Sequence, residues 1–297
     1  MNHLVILSGK GGTGKTSFTA AAYHLAVQDP DIHFPVLVDA DVDASNLNLL
    51  LSPVMQKRES FSGGELARID SNLCIACGAC FEACRFDAIL EKPDYQVEPL
   101  ACEGCGYCEL VCPTQAITLK EEVNGEWYIS KTQYGSTLVH AELYPGQENS
   151  GKLVAHIKEK ALAIAQQNLS NFILVDGPPG IGCAVIASIS GASAAIIVTE
   201  PSMSGIHDML RAIETANHFQ IKPYVCINKY DISAQGTAKI KTFCQENQIP
   251  ILGEIPFDLE ITRAMSVGLP ITAFNPKSQT SKTIEKIWET IKNRIIT

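Results

Sequence analysis

Six short apolar runs, rich in β-branched residues, punctuate the chain at residues 3–8, 35–39, 172–176, 194–199, 223–227 and 251–255. Between most of them, apolar positions recur at helical spacing over residues 15–28, 151–168, 202–219 and 233–247. A strand that is apolar on both faces must be covered on both. Continuous apolar strands alternating with helices therefore predict a mostly parallel sheet between two helical layers, a doubly wound α/β fold. The alternation breaks between about residues 55 and 123. A polar, loop-like stretch at 56–64 leads into the break and another at 121–125 leads out, the seams expected of an inserted domain. The pattern thus predicts a host domain made of residues 1–60 and 122–297 around an insert at 61–121. Residues 127–146 read as a strand pair. A length of 297 residues fits about two domains.

Charge and composition narrow the picture. With 23 Lys and Arg against 32 Asp and Glu, the formal charge is −9, which argues against nucleic acid held by a general basic surface. No apolar run approaches the roughly 18 residues of a membrane span. The opening residues lack the basic segment of a signal peptide, so a soluble, cytoplasmic protein is expected. Eight of the eleven cysteines crowd between Cys74 and Cys112. In a reducing compartment, thiols so packed point to metal ligation rather than disulfides.

Gly9-Lys10-Gly11-Gly12-Thr13-Gly14-Lys15-Thr16 fits the pattern G-x-x-x-x-G-K-[ST], between a predicted strand and a predicted helix. The glycines let backbone N–H groups turn toward phosphate oxygens at a helix N-terminus. Lys15 adds charge on the β- and γ-phosphates, Thr16 a magnesium ligand, and Ser17 follows in the same turn. Asp176 ends an apolar strand beside this loop, where a Walker B carboxylate holds magnesium. Asp39-Ala40-Asp41 ends another strand in the same way, and Asp43 reads as a helix cap. Asn228-Lys229-Tyr230-Asp231 fits N-K-x-D, a pattern that reads guanine in GTPases.

The early lysine makes the phosphate motif resemble the deviant Walker A of the MinD/ParA/Mrp ATPases. The likeness extends through residues 39–49, 176–180, 228–229 and 253–258, nearly the whole chain outside the insert. It implies a dimer, of identical chains or with a related ATPase, that sandwiches nucleotide. Lys10 would then reach the partner's phosphates, and Asp41 would position the attacking water. Thr16, Asp176 and Asp41 would form the magnesium side. The same resemblance assigns Asn228 to adenine, with the segment at Pro256 closing the pocket, and so favours ATP over GTP.

The insert carries one sequence unit twice. Cys74, Cys77, Cys80 and Cys84 recur as Cys102, Cys105, Cys108 and Cys112, and Ala88-Ile89 recurs as Ala116-Ile117, all offset by 28. Both copies match the bacterial ferredoxin run C-x2-C-x2-C-x3-C; zinc sites have no reason to produce it twice. The resemblance implies that the fourth cysteine of each run serves the other cluster. Cluster one would take Cys74, Cys77, Cys80 and Cys112; cluster two would take Cys84, Cys102, Cys105 and Cys108; both would be 4Fe-4S. The first run ends Cys84-Arg85 where the second ends Cys112-Pro113. That cation should raise the potential of its cluster.

Cys183 lies seven residues after Asp176, a spacing similar to the nitrogenase iron protein segment that bridges a cluster between subunits. The alternative is a buried thiol opening a helix. Cys226 and Cys244 read as structural. The seven histidines show no zinc-hydrolase spacing. Ile284, Ile287, Trp288, Ile291 and Ile295 form one face of a terminal helix, either membrane-binding, as in MinD, or packed on its own sheet. Together these readings predict an ATPase, with ATP and Mg2+, coupled to electron transfer through two 4Fe-4S clusters toward a redox partner. A cluster assembly factor and a redox-sensing positioning ATPase remain as alternatives.

Overall fold

The computed structural model describes residues 1–91 and 93–296. In chain order the first elements are β1 (Asn2–Ser8), α1 (Lys15–Gln28), β2 (Val36–Asp39), α2 (Leu47–Leu51), β3 (Val54–Ile69), α3 (Ala79–Ala83), β4 (Ile89–Leu90), β5 (Gln96–Val97) and α4 (Tyr107–Leu110). Then come β6 (Ile117–Lys131), β7 (Thr137–Leu143), α5 (Ser150–Gln167), β8 (Phe172–Pro179), α6 (Cys183–Ile189), β9 (Ala194–Thr199) and α7 (Met203–His218). The last are β10 (Lys222–Asn228), α8 (Ala234–Glu246), β11 (Ile251–Ile255), α9 (Leu259–Ser266), α10 (Ile271–Phe274) and α11 (Gln279–Ile291).

The chain divides into two compact units. The first comprises Met1–Arg58, Trp127–Glu142 and Ser150–Thr297; the second comprises Glu59–Glu126 and Leu143–Asn149. In the first, the sheet runs β11-β10-β9-β1-β8-β2-β7, with every one of these pairings parallel. β6, joined to β7 by the turn at Thr132–Ser136, and then β3 complete the order, so the strand pair expected at 127–146 is present.

The apolar runs became strands because both of their faces are covered: all six residues of β9, and all but the first of β1, are buried. Helix α1 is buried around most of its circumference, Phe18 to His24 without a break, as an Ala-rich helix inside an α/β layer must be. It ends where Pro30 cannot continue it. The terminal helix packs on its own sheet. Ile284, Ile287, Trp288 and Ile291 are at most 3% exposed, and Ile295 packs against the same core. The Trp288 indole donates to Asp29 Oδ2 at 3.0 Å and meets the Phe172 ring edge-on. No helix among the described residues is long and apolar enough to cross a membrane.

Two expectations are corrected. The stretches at 56–64 and 121–125 are not loops but lie inside β3 and β6. Most of β3 from Val54 to Ser60 is exposed, so its side chains lack the apolar alternation by which a strand announces itself; backbone pairing alone makes it one. The cap role falls to Asp39 rather than Asp43. Asp39 Oδ2 accepts from Ser45 Oγ at 2.7 Å and from the Leu47 N–H at 3.2 Å at the start of α2.

Charge is divided unevenly between the units. The first holds 19 Lys and Arg against 18 Asp and Glu, the second 4 against 14. The cysteine-bearing unit therefore carries a net charge of −10, while the nucleotide-bearing unit is close to neutral at +1.

Candidate functional site

The turn between β1 and α1 carries the phosphate motif. Gly12 and Gly14 have φ of 81° and 88°, the left-handed region where a side chain is strained. At Gly14 a Cβ would also lie 2.2 Å from Asn228 Nδ2, so only glycine lets the loop close on β10. Asn228 Nδ2 donates to the Thr13 carbonyl at 2.7 Å, and Lys229 Nζ to the Gly12 carbonyl at 3.0 Å. The N-K-x-D motif thus braces the phosphate loop from behind.

Beside the loop, Lys15, Thr16 and Asp176 come together as expected. Lys15 Nζ lies 2.9 Å from Asp176 Oδ1, and Thr16 Oγ1 donates to Asp176 Oδ2 at 2.8 Å. Thr19, one helical turn after Lys15, also donates to Asp176, at 2.6 Å. Its i+4 spacing from Lys15 was the sequence signal for it. The ion pair is almost fully buried, and the two hydroxyls satisfy the remaining carboxylate lone pairs, as a buried pair requires. Burial and the neighbouring Asp176 carboxylate push the Asp39 carboxyl well above the usual range, against the Ser45 hydroxyl and Lys15. Burial also raises the Asp41 carboxyl, with Lys15 opposing it.

A cleft of about 820 Å³ opens over these groups. Its lining includes every residue expected to bind nucleotide: Gly11, Gly12, Thr13, Gly14, Lys15, Thr16, Ser17, Asn228 and Pro256, together with Asp41 and Asp43. Among the described residues, Thr13 Oγ1 in the phosphate loop is buried without a hydrogen-bond partner. The residues present suit a magnesium nucleotide: amides and Lys15 for phosphates, Thr16 and Asp176 for the cation.

Lys10 is absent from that lining. Its Nζ pairs with Glu200 Oε1 at 2.8 Å and donates to Ser204 Oγ at 2.9 Å. Glu200 Oε2 accepts from Lys229 Nζ at 3.0 Å, so one carboxylate joins the signature lysine to the N-K-x-D motif. Burial works to raise Glu200, but the two lysines outweigh it and hold it below the usual range. Glu200 was not singled out from the sequence, although its place directly after β9, at the carboxyl edge of a parallel sheet, marked it.

Cys183 opens α6 as expected, yet it is exposed and lines the cleft, so it is no buried thiol. The start of α6 packs closely on α5: a Cβ on Gly151 would come within 2.9 Å of Cys183 Cβ. Cys226 in β10 and Cys244 in α8 are buried, and burial pushes their thiols up to about 12 and about 11. Both are inert structural residues.

In the second unit the 28-residue repeat is a repeat of conformation. Ala76 and Gly104, Gly78 and Gly106, and Asp87 and Gln115 all have positive φ, each pair 28 residues apart. Successive turns of this kind bring amide N–H groups to one side. The Ala88 N–H donates to Cys84 Sγ at 3.4 Å, and the Ala116 N–H to Cys112 Sγ at 3.3 Å. Two small cavities lie among the cysteines. One is lined by Cys74, Cys77, Cys80 and Cys112, the other by Cys84, Cys102, Cys105 and Cys108. Among the described residues, no three His, Cys, Asp or Glu side chains converge closely enough for a single metal ion.

Comparison with known proteins agrees with the nucleotide site. The profile of the family CbiA, the CobQ/CobB/MinD/ParA nucleotide binding domain, matches residues 4–271. An uncharacterised protein of Methanocaldococcus jannaschii is 33% identical over 98% of this chain and 97% of its own. The iron-sulfur cluster carrier protein of Pyrococcus horikoshii is 23% identical over 98% of this chain and 86% of its own. Among solved structures, the septum site-determining protein MinD of Pyrococcus horikoshii, complexed with Mg-ADP, superimposes with a TM-score of 0.59. It is 20% identical, over 98% of this chain and 96% of its own, and shares the fold. With the phosphate loop, Lys15, Thr16 and Asp176 assembled as described, the chain belongs to the CobQ/CobB/MinD/ParA nucleotide-binding family and is a P-loop ATPase.

Proposed function

We propose that this ATPase couples its nucleotide state to electron transfer through two 4Fe-4S clusters held in the second unit, serving a partner redox protein. The observation that carries the reading is the division of eight cysteines into two quartets around separate cavities, each quartet drawing three residues from one repeat and one from the other. A cubane takes one thiolate on each iron, so its ligands stand farther apart than those of a single ion. Cys74, Cys77, Cys80 and Cys112 would hold one cluster, and Cys84, Cys102, Cys105 and Cys108 the other. The N–H groups of Ala88 and Ala116, aimed at sulfur, favour the reduced state. When bound, each cluster supplies a one-electron carrier.

In the nucleotide unit, ATP would lie in the cleft with Mg2+ on Thr16 and Asp176, and Asp41 would orient the attacking water. Dimer formation would draw Lys10 from Glu200 to the partner's phosphates, which ties hydrolysis to assembly. The deciding experiment is anaerobic. About eight irons per chain, and cluster potentials that differ between ADP and a nonhydrolysable ATP analogue, support the reading. A colourless, zinc-bearing protein, or identical potentials, overturns it.

A second reading, transfer of assembled clusters, is supported by the named function of the Pyrococcus horikoshii relative and by Cys183 exposed at the cleft. It predicts iron beyond eight atoms per chain, lost to an apo-acceptor and lost in Cys183→Ala.

A further inference from the structure

Asp176 accepts from three donors, and two of them have other work once the cleft fills. Lys15 Nζ and Thr19 Oγ1 both meet Oδ1, at 2.9 Å and 2.6 Å, while Thr16 Oγ1 meets Oδ2 at 2.8 Å. Lys15 is the cation placed for the β- and γ-phosphates, and the Thr16 oxygen is placed for magnesium. A lysine that reaches for phosphate has to leave the carboxylate it neutralises. Thr19 is different: it is fully buried and does not line the cleft.

The surroundings make the departure of Lys15 expensive. Asp176 is 1% exposed, so an oxygen there without a donor bears nearly its full desolvation cost. In register beside it on β2 stands Asp39, another carboxylate. The Asp39 oxygens accept from the Asp41 N–H, the Ser45 hydroxyl and the Leu47 N–H, and offer Asp176 no donor. Among the described residues, the donor able to stay on Oδ1 is the Thr19 hydroxyl. At 2.6 Å onto an ionised acceptor, it belongs to the short, charge-assisted class.

Thr19 Oγ1 also lies 3.0 Å from the Lys15 carbonyl. A hydroxyl carries one proton, and a threonine inside a helix commonly gives it to the carbonyl four residues back, a contact without further consequence. Here that carbonyl belongs to the first residue of α1 and is already part of the helix ladder. The carboxylate is both nearer and charged, so the proton goes to Asp176.

We infer that Thr19 is a positioning residue of the nucleotide site, holding Asp176 Oδ1 while Lys15 turns to phosphate, so that the lysine moves without leaving a buried carboxylate oxygen unpaired. Loss of the hydroxyl then has a small effect in the nucleotide-free protein, where Lys15 remains on Oδ1, and a large one in the complex, where Lys15 has left. The inference rests on the cleft binding nucleotide and is independent of any iron–sulfur cluster.

Two measurements on the full, iron-loaded chain test it. The first is a double-mutant cycle on thermal stability without nucleotide, followed by tryptophan fluorescence, since Trp127 and Trp288 both lie in the nucleotide unit. Thr19→Val alone leaves Lys15 on Oδ1 and should lower the melting temperature by no more than about 3 °C. Lys15→Met alone leaves Thr19 there. Together they strip Oδ1 of donors, and the double variant should melt at least about 4 °C below the sum of the two single shifts. Thr19→Ser in the Lys15→Met background should restore most of that difference. The second is equilibrium binding of a nonhydrolysable ATP analogue with magnesium, which needs no turnover. Thr19→Val should bind about tenfold or more weakly, and Thr19→Ser within about threefold of the unaltered chain. Additive shifts in the cycle, or a Thr19→Val protein that binds the analogue as tightly as the unaltered chain, overturns the inference. If Lys15→Met abolishes binding while Thr19→Val binds normally, the nucleotide site stands and this inference alone fails.

Discussion

The nucleotide unit is held by a continuous core in which Tyr23, Phe172, Leu37, Leu138 and their neighbours are essentially fully buried. In the cysteine unit the central cluster consists of Ala67, Cys80, Ile89 and Ile117, with Cys84, Cys102, Cys108 and Cys112 packed partly buried around it. The first unit folds on apolar area. The second is small, strongly acidic, bent by repeated positive-φ turns, and has thiols where a core would be. Domains of this size with so little apolar filling rely on metal or disulfide staples, and here the staple would be iron. The contrast separates two kinds of stability in one chain.

The largest expected effect follows directly. Removing iron should unfold the second unit and leave the first intact. Limited proteolysis of the chelated protein should then cut within 59–126 while ATP binding persists; equal resistance with and without iron breaks the contrast. Next in size, Lys15→Ala or Asp176→Asn should lower hydrolysis at least about 100-fold, since each removes charge placed for the transferring phosphoryl group. The iron–sulfur absorption should not change, and bleaching alongside lost activity would show that the units are not separable.

Acid should act on the first unit in particular, because all seven histidines lie there. Burial pushes His3 and His140 down to about 4, well below their unfolded value near 6.5. Between those values the unfolded chain binds more protons than the folded one. The stability from keeping these rings neutral is complete above pH 6.5 and is lost as pH falls toward 4. For His3, 6% exposed, that loss approaches roughly 3 kcal/mol. Thermal melts of His3→Gln across this range should flatten the slope; an unchanged slope removes His3 from the account. The smallest effect is electrostatic. Arg85→Pro should lower one cluster potential by roughly 10–30 mV, since an exposed cation is heavily screened. No shift in a redox titration would show that Arg85 does not distinguish the clusters.

Much of this architecture was legible in the residues. A parallel strand buried on both faces leaves a continuous apolar run, so 194–199 coincides with β9; the run at 251–255 coincides with the edge strand β11, and 15–28 with α1. The phosphate loop, Lys15, Thr16 and Asp176 were legible because their chemistry is written in one short motif and at one strand end. What escaped was set by distant partners. β3 and β6 have polar, exposed stretches whose strand character comes from pairing alone. Glu200 and Thr19 gain their roles only when other segments arrive. The cap at α2 went to Asp39, eight residues before Leu47, where local reading favoured the nearer Asp43.

The position of Glu200 has a consequence for how the site fills. Before any nucleotide arrives, Lys10 and Lys229 already share a resident counter-ion, and Lys15 has its own in Asp176. Entry of a polyanion then requires these lysines to turn from tethered carboxylates toward the phosphates, in a pocket whose own charges were already close to balanced. Affinity in such a pocket varies only shallowly with ionic strength. A basic pocket without these acids would weaken steeply as salt rises.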